Sequence, residues 1–123
     1  MFYSELLPKS PTAAAQARGL LERIRSKLSP RALDDARLLV SELVTNAVEH
    51  VSEDGDIEIR VQLNGDTLRV EVLDPGGGFT PTPRGPGASR ESGWGLHFTE
   101  RIAQRWAVDV EGRARVWFEL KAR

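Results

Sequence analysis

The residues best placed to do chemistry lie in one short stretch, LLVSELVTNAVEH, from Leu38 to His50. It is mostly apolar, and Glu42, Asn46 and Glu49 interrupt it at helical spacing. Residues four apart share a helix face, so the carboxylate of Glu42 and the amide of Asn46 stand in line. Such a pair is either solvated surface or the floor of a site. The glycines downstream bear on that choice. DPGGGF (Asp74 to Phe79) and GWGL (Gly93 to Leu96) flank a segment dense in glycine and proline. Glycine lets backbone amides approach an anion closely. The second cluster opens a helix, whose first turn offers unpaired N–H groups and a positive partial charge, a ready phosphate site. Neither cluster is a Walker motif, because GK[ST] is absent, and the strand–GxGxxG–helix order of a dinucleotide fold is missing.

The elements that must hold these residues can be read from periodicity. Phe2 to Leu7 form a short apolar segment ending at Pro8, read as an edge strand. SPTAAAQARGLLERIRSKL follows. Ser10 is a capping residue, Pro11 suits a first helical position, and Ala13, Ala17, Leu20, Leu21, Ile24 and Leu28 recur at steps of three and four. Ser29–Pro30 repeats the start signal for a second helix running to about Val51. Leu33, Ala36, Val40, Leu43, Val44, Ala47, Val48 and Val51 form its apolar face, with Asp35, Glu42, Asn46 and Glu49 roughly opposite. IEIRVQL and LRVEVLD alternate strictly around an NGD turn, which predicts a hairpin with one buried side. Asp74 continues the buried parity and is expected to point toward the helical layer. GLHFTERIAQRW reads as a third helix with Leu96, Thr99, Ile102, Ala103 and Trp106 inward, and AVDVEGRARVWFEL as a strand–turn–strand. The expected fold is α+β: a two-layer α/β sandwich, with a mixed sheet of about five strands covered on one face by three helices.

Bulk properties narrow the classes. The 123 residues suit one domain, spanning 1–123, with a single two-layer core. Hydrophobic residues make up 40% and charged residues 28%, with a net charge of −1, so no global basic field favours nucleic acid. There is no cysteine, which excludes disulfides, thiolate catalysis and Cys-based zinc sites, and fits a cytoplasmic protein. The N-terminus lacks a basic region followed by an apolar run, so no secretory signal is expected. No apolar stretch is long enough to span a membrane.

In this order, ELVTNAVEH, DPGGGF and GWGL resemble the Bergerat-fold (GHKL) ATP-binding superfamily of gyrase, histidine kinases and MutL. The small anti-sigma-factor serine/threonine kinases are the branch most similar, over about Thr12 to Leu120. The resemblance implies a histidine-kinase-like ATPase fold with an ATP lid at about 77–93, and ATP and Mg²⁺ as cofactors. Glu42 matches the general base that takes the proton from a partner's serine or threonine. Asn46 matches the amide that coordinates Mg²⁺, and Asp74 the carboxylate that accepts from the adenine amino group. Gly76 and Gly78 match the glycines that pack against adenine. Gly93, Gly95 and the Leu96 amide match the phosphate end of the lid. The implied partners are a sigma factor or an antagonist protein, with a homodimer as a family expectation. Neither nucleic acid nor membrane is among the expected partners.

Residue chemistry agrees with this reading. A carboxylate beside a hard-cation ligand suits phosphoryl transfer, which depends on positioning and charge neutralisation. A buried, unpaired Asp74 would be costly without a hydrogen-bonding ligand. The chain also departs from the family: Trp94 stands where a small or basic residue is expected, Pro75 stiffens the first glycine box, and Arg84 and Arg90 are the only cations between Phe79 and Ser92. Glu49 has no implied role and is read as solvated, His50 as a helix-end residue and His97 as structural. The expected function is phosphorylation of a serine or threonine on an antagonist protein in a partner switch that regulates transcription. The rival reading is a non-catalytic ATP-sensing interaction module of the same fold.

Overall fold

The alternation in IEIRVQL and LRVEVL produces the hairpin that it predicts. In a computed structural model, which describes residues 1–50, 55–73, 96–111 and 113–123, β2 (Asp56–Asn64) and β3 (Thr67–Leu73) pair antiparallel, with Val61 opposite Val70. Gly65 turns the chain between them with a φ of +58°, a backbone geometry that other residues adopt only under strain. β1 (Phe2–Pro8) is an edge strand, as expected, and pairs with β2. β4 (Arg105–Glu111) and β5 (Arg113–Lys121) form a second hairpin, and β5 lies against β3.

The strand order is β1-β2-β3-β5-β4. Every pair is antiparallel, so the expected mixed sheet is corrected to an antiparallel one. Alternation reports which face a residue takes and is blind to strand direction, so the sequence carried no signal for this point.

Three helices, α1 (Ala13–Leu21), α2 (Pro30–His50) and α3 (His97–Ile102), accompany the sheet. The first start signal is placed too early in the sequence reading. Ser10 does not cap. Thr12 precedes the helix without a side-chain capping bond, and Ser10 contributes its carbonyl, which accepts from the Ala13 amide at 3.0 Å. The rest of the expected helix tightens into a 3₁₀ turn at Glu22–Lys27. Ser29 does cap α2: its hydroxyl oxygen accepts from the Ala32 amide at 3.1 Å, and Pro30 takes the first helical position. The third helix is shorter than its pattern. The backbone turns extended at Ala103, the Gln104 amide donates to the Glu119 carbonyl at 2.9 Å, and Trp106 lies on β4.

The buried parity of the sheet meets the helices in a single core. Ile57, Ile59, Leu68, Val70 and Phe118 pack with Leu21, Ile24, Leu39 and Val44 there, all almost wholly excluded from solvent. The opposite parity carries charge. Arg69 bonds Glu71 at 2.9 Å and Glu119 at 3.1 Å, and stacks its guanidinium 3.8 Å over the Trp117 ring. Arg115 reaches Asp109 at 2.7 Å and Glu71 at 3.6 Å, and Arg60 bonds Glu58 at 2.7 Å. One sheet therefore has a dry face and an ion-paired face. This is how an antiparallel sheet covered on one side solves its solvation problem.

Candidate functional site

Helix α2 is the site's platform. Its capped start and its buried side, which includes Leu33, Ala36, Leu39, Val40, Leu43 and Val44, lock its rotation against the sheet. That rotation fixes where Glu42 and Asn46 emerge. The stripe they belong to is not uniform. Glu49 is exposed and Asp35 and Glu42 are half-buried, whereas Asn46 is only 8% exposed. Helix α3 lies across this side of α2.

The contact is specific. Glu42 Oε2 accepts from the Thr99 amide at 2.9 Å and from the Thr99 hydroxyl at 2.8 Å. Glu42 Oε1 accepts from the Phe98 amide at 3.2 Å. The carboxylate thus satisfies amides of the first turn of α3, which have no partners inside the helix. It also accepts from the only polar side-chain group of Thr99, a residue with no exposed surface. All three donors are uncharged, and no cation among the described residues pairs with this carboxylate.

Beside it, Leu38, Ser41, Glu42, Thr45, Asn46, His97 and Phe98 line a cleft of about 340 Å³. Leu38 and Phe98 form exposed apolar lips. Ser41 is held by two bonds: it accepts from Arg18 Nη1 at 2.8 Å and donates to the Arg37 carbonyl at 2.8 Å. Asn46 is the most buried residue of this lining. Its Nδ2 is buried and has no hydrogen-bond partner among the described residues. An unpaired buried N–H donor costs about 1–3 kcal/mol, and the Oδ1 of the same amide is the atom able to take a cation. A side-chain amide is a suitable hard-oxygen donor for Mg²⁺, and one such donor leaves most of the coordination shell for phosphate and water. The residues therefore fit that ion.

Of the sequence-expected site residues, Glu42 and Asn46 are brought together in one cleft. Leu96 immediately precedes α3, with its side chain buried in the core and its carbonyl accepting from the Glu100 amide at 3.0 Å. Asp74, Gly76, Gly78, Gly93 and Gly95 lie outside the described residues, as do Trp94, Arg84 and Arg90. Thr99 was expected to face inward, as it does, but its bond to Glu42 had no signal in the sequence. The two residues are 57 apart, and only the packing of α3 on α2 joins them.

Comparison with known proteins places this cleft in context. The curated relatives include the serine-protein kinase RsbW of Listeria innocua, 36% identical over 78 residues, covering 59% of this chain and 50% of that protein. RsbW of Bacillus pumilus is 31% identical over 80 residues, covering 59% of this chain and 49% of that one. The chain thus spans about half the length of the curated relatives it matches. Among solved structures, the RsbU and RsbW domains of Rv1364c from Mycobacterium tuberculosis superpose with a TM-score of 0.74 at 22% identity, over 98% of this chain and 32% of that one. The catalytic domain of the histidine kinase ThkA superposes with a TM-score of 0.59 at 18% identity, over 99% of this chain and 97% of that one. At these identities the superpositions speak for the fold alone. The model of the histidine kinase-like ATPase domain matches residues 7–119, nearly the whole chain, and the protein belongs to that family.

Proposed function

We propose that this domain binds ATP with Mg²⁺ and transfers the γ-phosphoryl group to a serine or threonine of an antagonist protein. The observation that carries this reading is the pairing of Glu42 and Asn46 in one cleft, a carboxylate held by neutral donors next to a buried amide whose Nδ2 has no partner among the described residues. The relatives named serine-protein kinases support the choice of acceptor. In the step, the oxygen–phosphorus bond to the departing ADP breaks and ADP keeps the electron pair. The partner's hydroxyl oxygen forms the new bond to phosphorus. The hydroxyl proton moves to Glu42. The protein's part is positioning and charge placement, as phosphoryl transfer requires. Asn46 would hold Mg²⁺, which supplies charge neutralisation for the phosphates when bound.

The remaining assignments belong to the same reading. Asp74 would anchor adenine, Gly76 and Gly78 would let it approach the backbone, and Gly93, Gly95 and the Leu96 amide would receive phosphate. The lid would occupy about 77–93 of one domain spanning 1–123. The partners would be a sigma factor and its antagonist in a cytoplasmic partner switch, with the domain itself as a homodimer. No helix among the described residues is long and apolar enough to cross a membrane.

A second reading, an ATP-sensing module without transfer, is favoured by one observation: α3 engages both Glu42 oxygens. Calorimetry with ATP in the presence and absence of Mg²⁺ tests the shared part, and a lack of binding removes both readings. Transfer of labelled γ-phosphate to an antagonist domain captured from the native cell separates them. A sensor binds nucleotide and leaves the captured protein unlabelled.

A further inference from the structure

The three bonds to Glu42 are not equivalent, and the difference assigns separate tasks to its two oxygens. Oε2 receives two donors, both from Thr99, in a partly buried position. Oε1 receives one longer bond, from the Phe98 amide, in an exposed position, and Glu42 and Phe98 both line the cleft. A carboxylate oxygen has about two acceptor sites. Among the described residues, those of Oε2 are filled, while Oε1 keeps one open.

We infer that Thr99 is a positioning residue for Glu42, anchoring Oε2 through its hydroxyl and amide so that Oε1 faces the cleft and is the atom that receives the proton. The inference rests on the kinase reading for the identity of that proton. The anchoring itself is independent of it. Thr99 touches no reacting atom; it acts through Glu42. Its burial holds the hydroxyl on the carboxylate, because a wholly buried hydroxyl is costly to leave without an acceptor. The backbone amides of residues 98 and 99 would remain whatever side chain stood there. The hydroxyl is therefore the part of the anchor that sequence can change.

Two substitutions separate the hydroxyl from the shape of the side chain. Thr99→Val keeps the branched form and removes the donor, and Thr99→Ser keeps the donor and removes the methyl group. Each full-length variant is followed in three ways: ADP formation from saturating Mg-ATP with water as acceptor, ATP affinity by calorimetry, and hydrogen exchange of the Phe98 amide by NMR. For Thr99→Val we expect ADP formation to fall about tenfold while ATP affinity stays within about twofold, the signature of lost positioning rather than lost binding. The Phe98 amide should exchange at least about fivefold faster, because its acceptor is no longer held in place. Thr99→Ser should stay near the parent on all three measurements. An unchanged Phe98 exchange rate in Thr99→Val overturns the inference. So does equal impairment of the two variants, which would mark Thr99 as a packing residue. If the parent protein transfers no labelled γ-phosphate to the captured antagonist domain while the Phe98 exchange still separates valine from serine, the kinase reading fails and the anchoring of Glu42 stands.

Discussion

Two glutamates of this protein are withdrawn from water in opposite ways. Glu71, on the ion-paired face of the sheet, sits among Arg69 at 2.9 Å, Arg115 at 3.6 Å and Arg60 at 4.0 Å. Glu42, between α2 and α3, is held by two amides and a hydroxyl. Arginines cancel the charge of a carboxylate as they bind it. Neutral donors stabilise the charge and leave its field intact. A carboxylate surrounded by arginines can hold a sheet face together but is poorly placed to attract a cation or a proton. One held by dipoles can do both. The contrast is one of environment alone, since the residue type is the same.

The sharpest way to break the contrast is to neutralise Glu42. Glu42→Gln retains the size of the side chain and an oxygen to accept from α3, and removes the base. Transfer of phosphate should fall by about 10²–10⁴-fold with ATP binding preserved. Wild-type transfer in this variant would show that Glu42 is only a cap. Asn46→Ala removes the second half of the pair. It should weaken ATP binding at least about tenfold with Mg²⁺ present and much less without it, as read by calorimetry in the two buffers.

On the other face the effects should be structural. Glu71→Gln leaves three arginines with one fewer counter-charge, and their partial exposure softens the loss. Chemical denaturation should show a destabilisation of about 1–2 kcal/mol with ATP affinity unchanged. A nucleotide-binding defect in that variant would mean that the two faces are coupled. The smallest effect concerns acid. The Arg115 hydrogen bond holds the partly exposed Asp109 carboxyl below its ordinary value of 3.8, against opposing desolvation, with the Trp117 indole assisting. A depressed carboxyl contributes stability above its unfolded value and loses it as pH falls through the folded one. The melting temperatures of the parent and of Asp109→Asn should therefore differ slightly near neutral pH and converge below 3.8.

The sequence disclosed elements better than their relations. The hairpin around Gly65, the edge strand at Phe2–Pro8 and the capped start at Ser29–Pro30 followed from local chemistry and are present. Trp106 shows why a boundary was missed. It lies four residues beyond Ile102, a spacing that also fits a helix, yet β5 captures the chain from Gln104 onward. Asn46 reads as polar-face from periodicity because the pattern describes α2 alone, and its burial comes from what packs over it. The same limit hid Thr99. For the site, Glu42 and Asn46 were legible because helical spacing is a local property. The donors that hold Glu42 belong to a distant part of the chain.

The attachment of α3 to α2 also bears on how freely the chain between β3 and α3 can vary. Glu42 fastens the downstream end of that stretch with bonds that lie wholly outside it, and the pairing of β2 with β3 fastens the upstream end. For a connection with both ends moored, the entropy of closing the loop rises only with the logarithm of its length, about 0.6 kcal/mol per doubling. Residues can be gained, lost or exchanged there at small thermodynamic expense to the rest of the molecule. Among relatives of this domain, length should therefore vary most between the two glycine clusters, with Glu42 serving as the mooring post downstream of them.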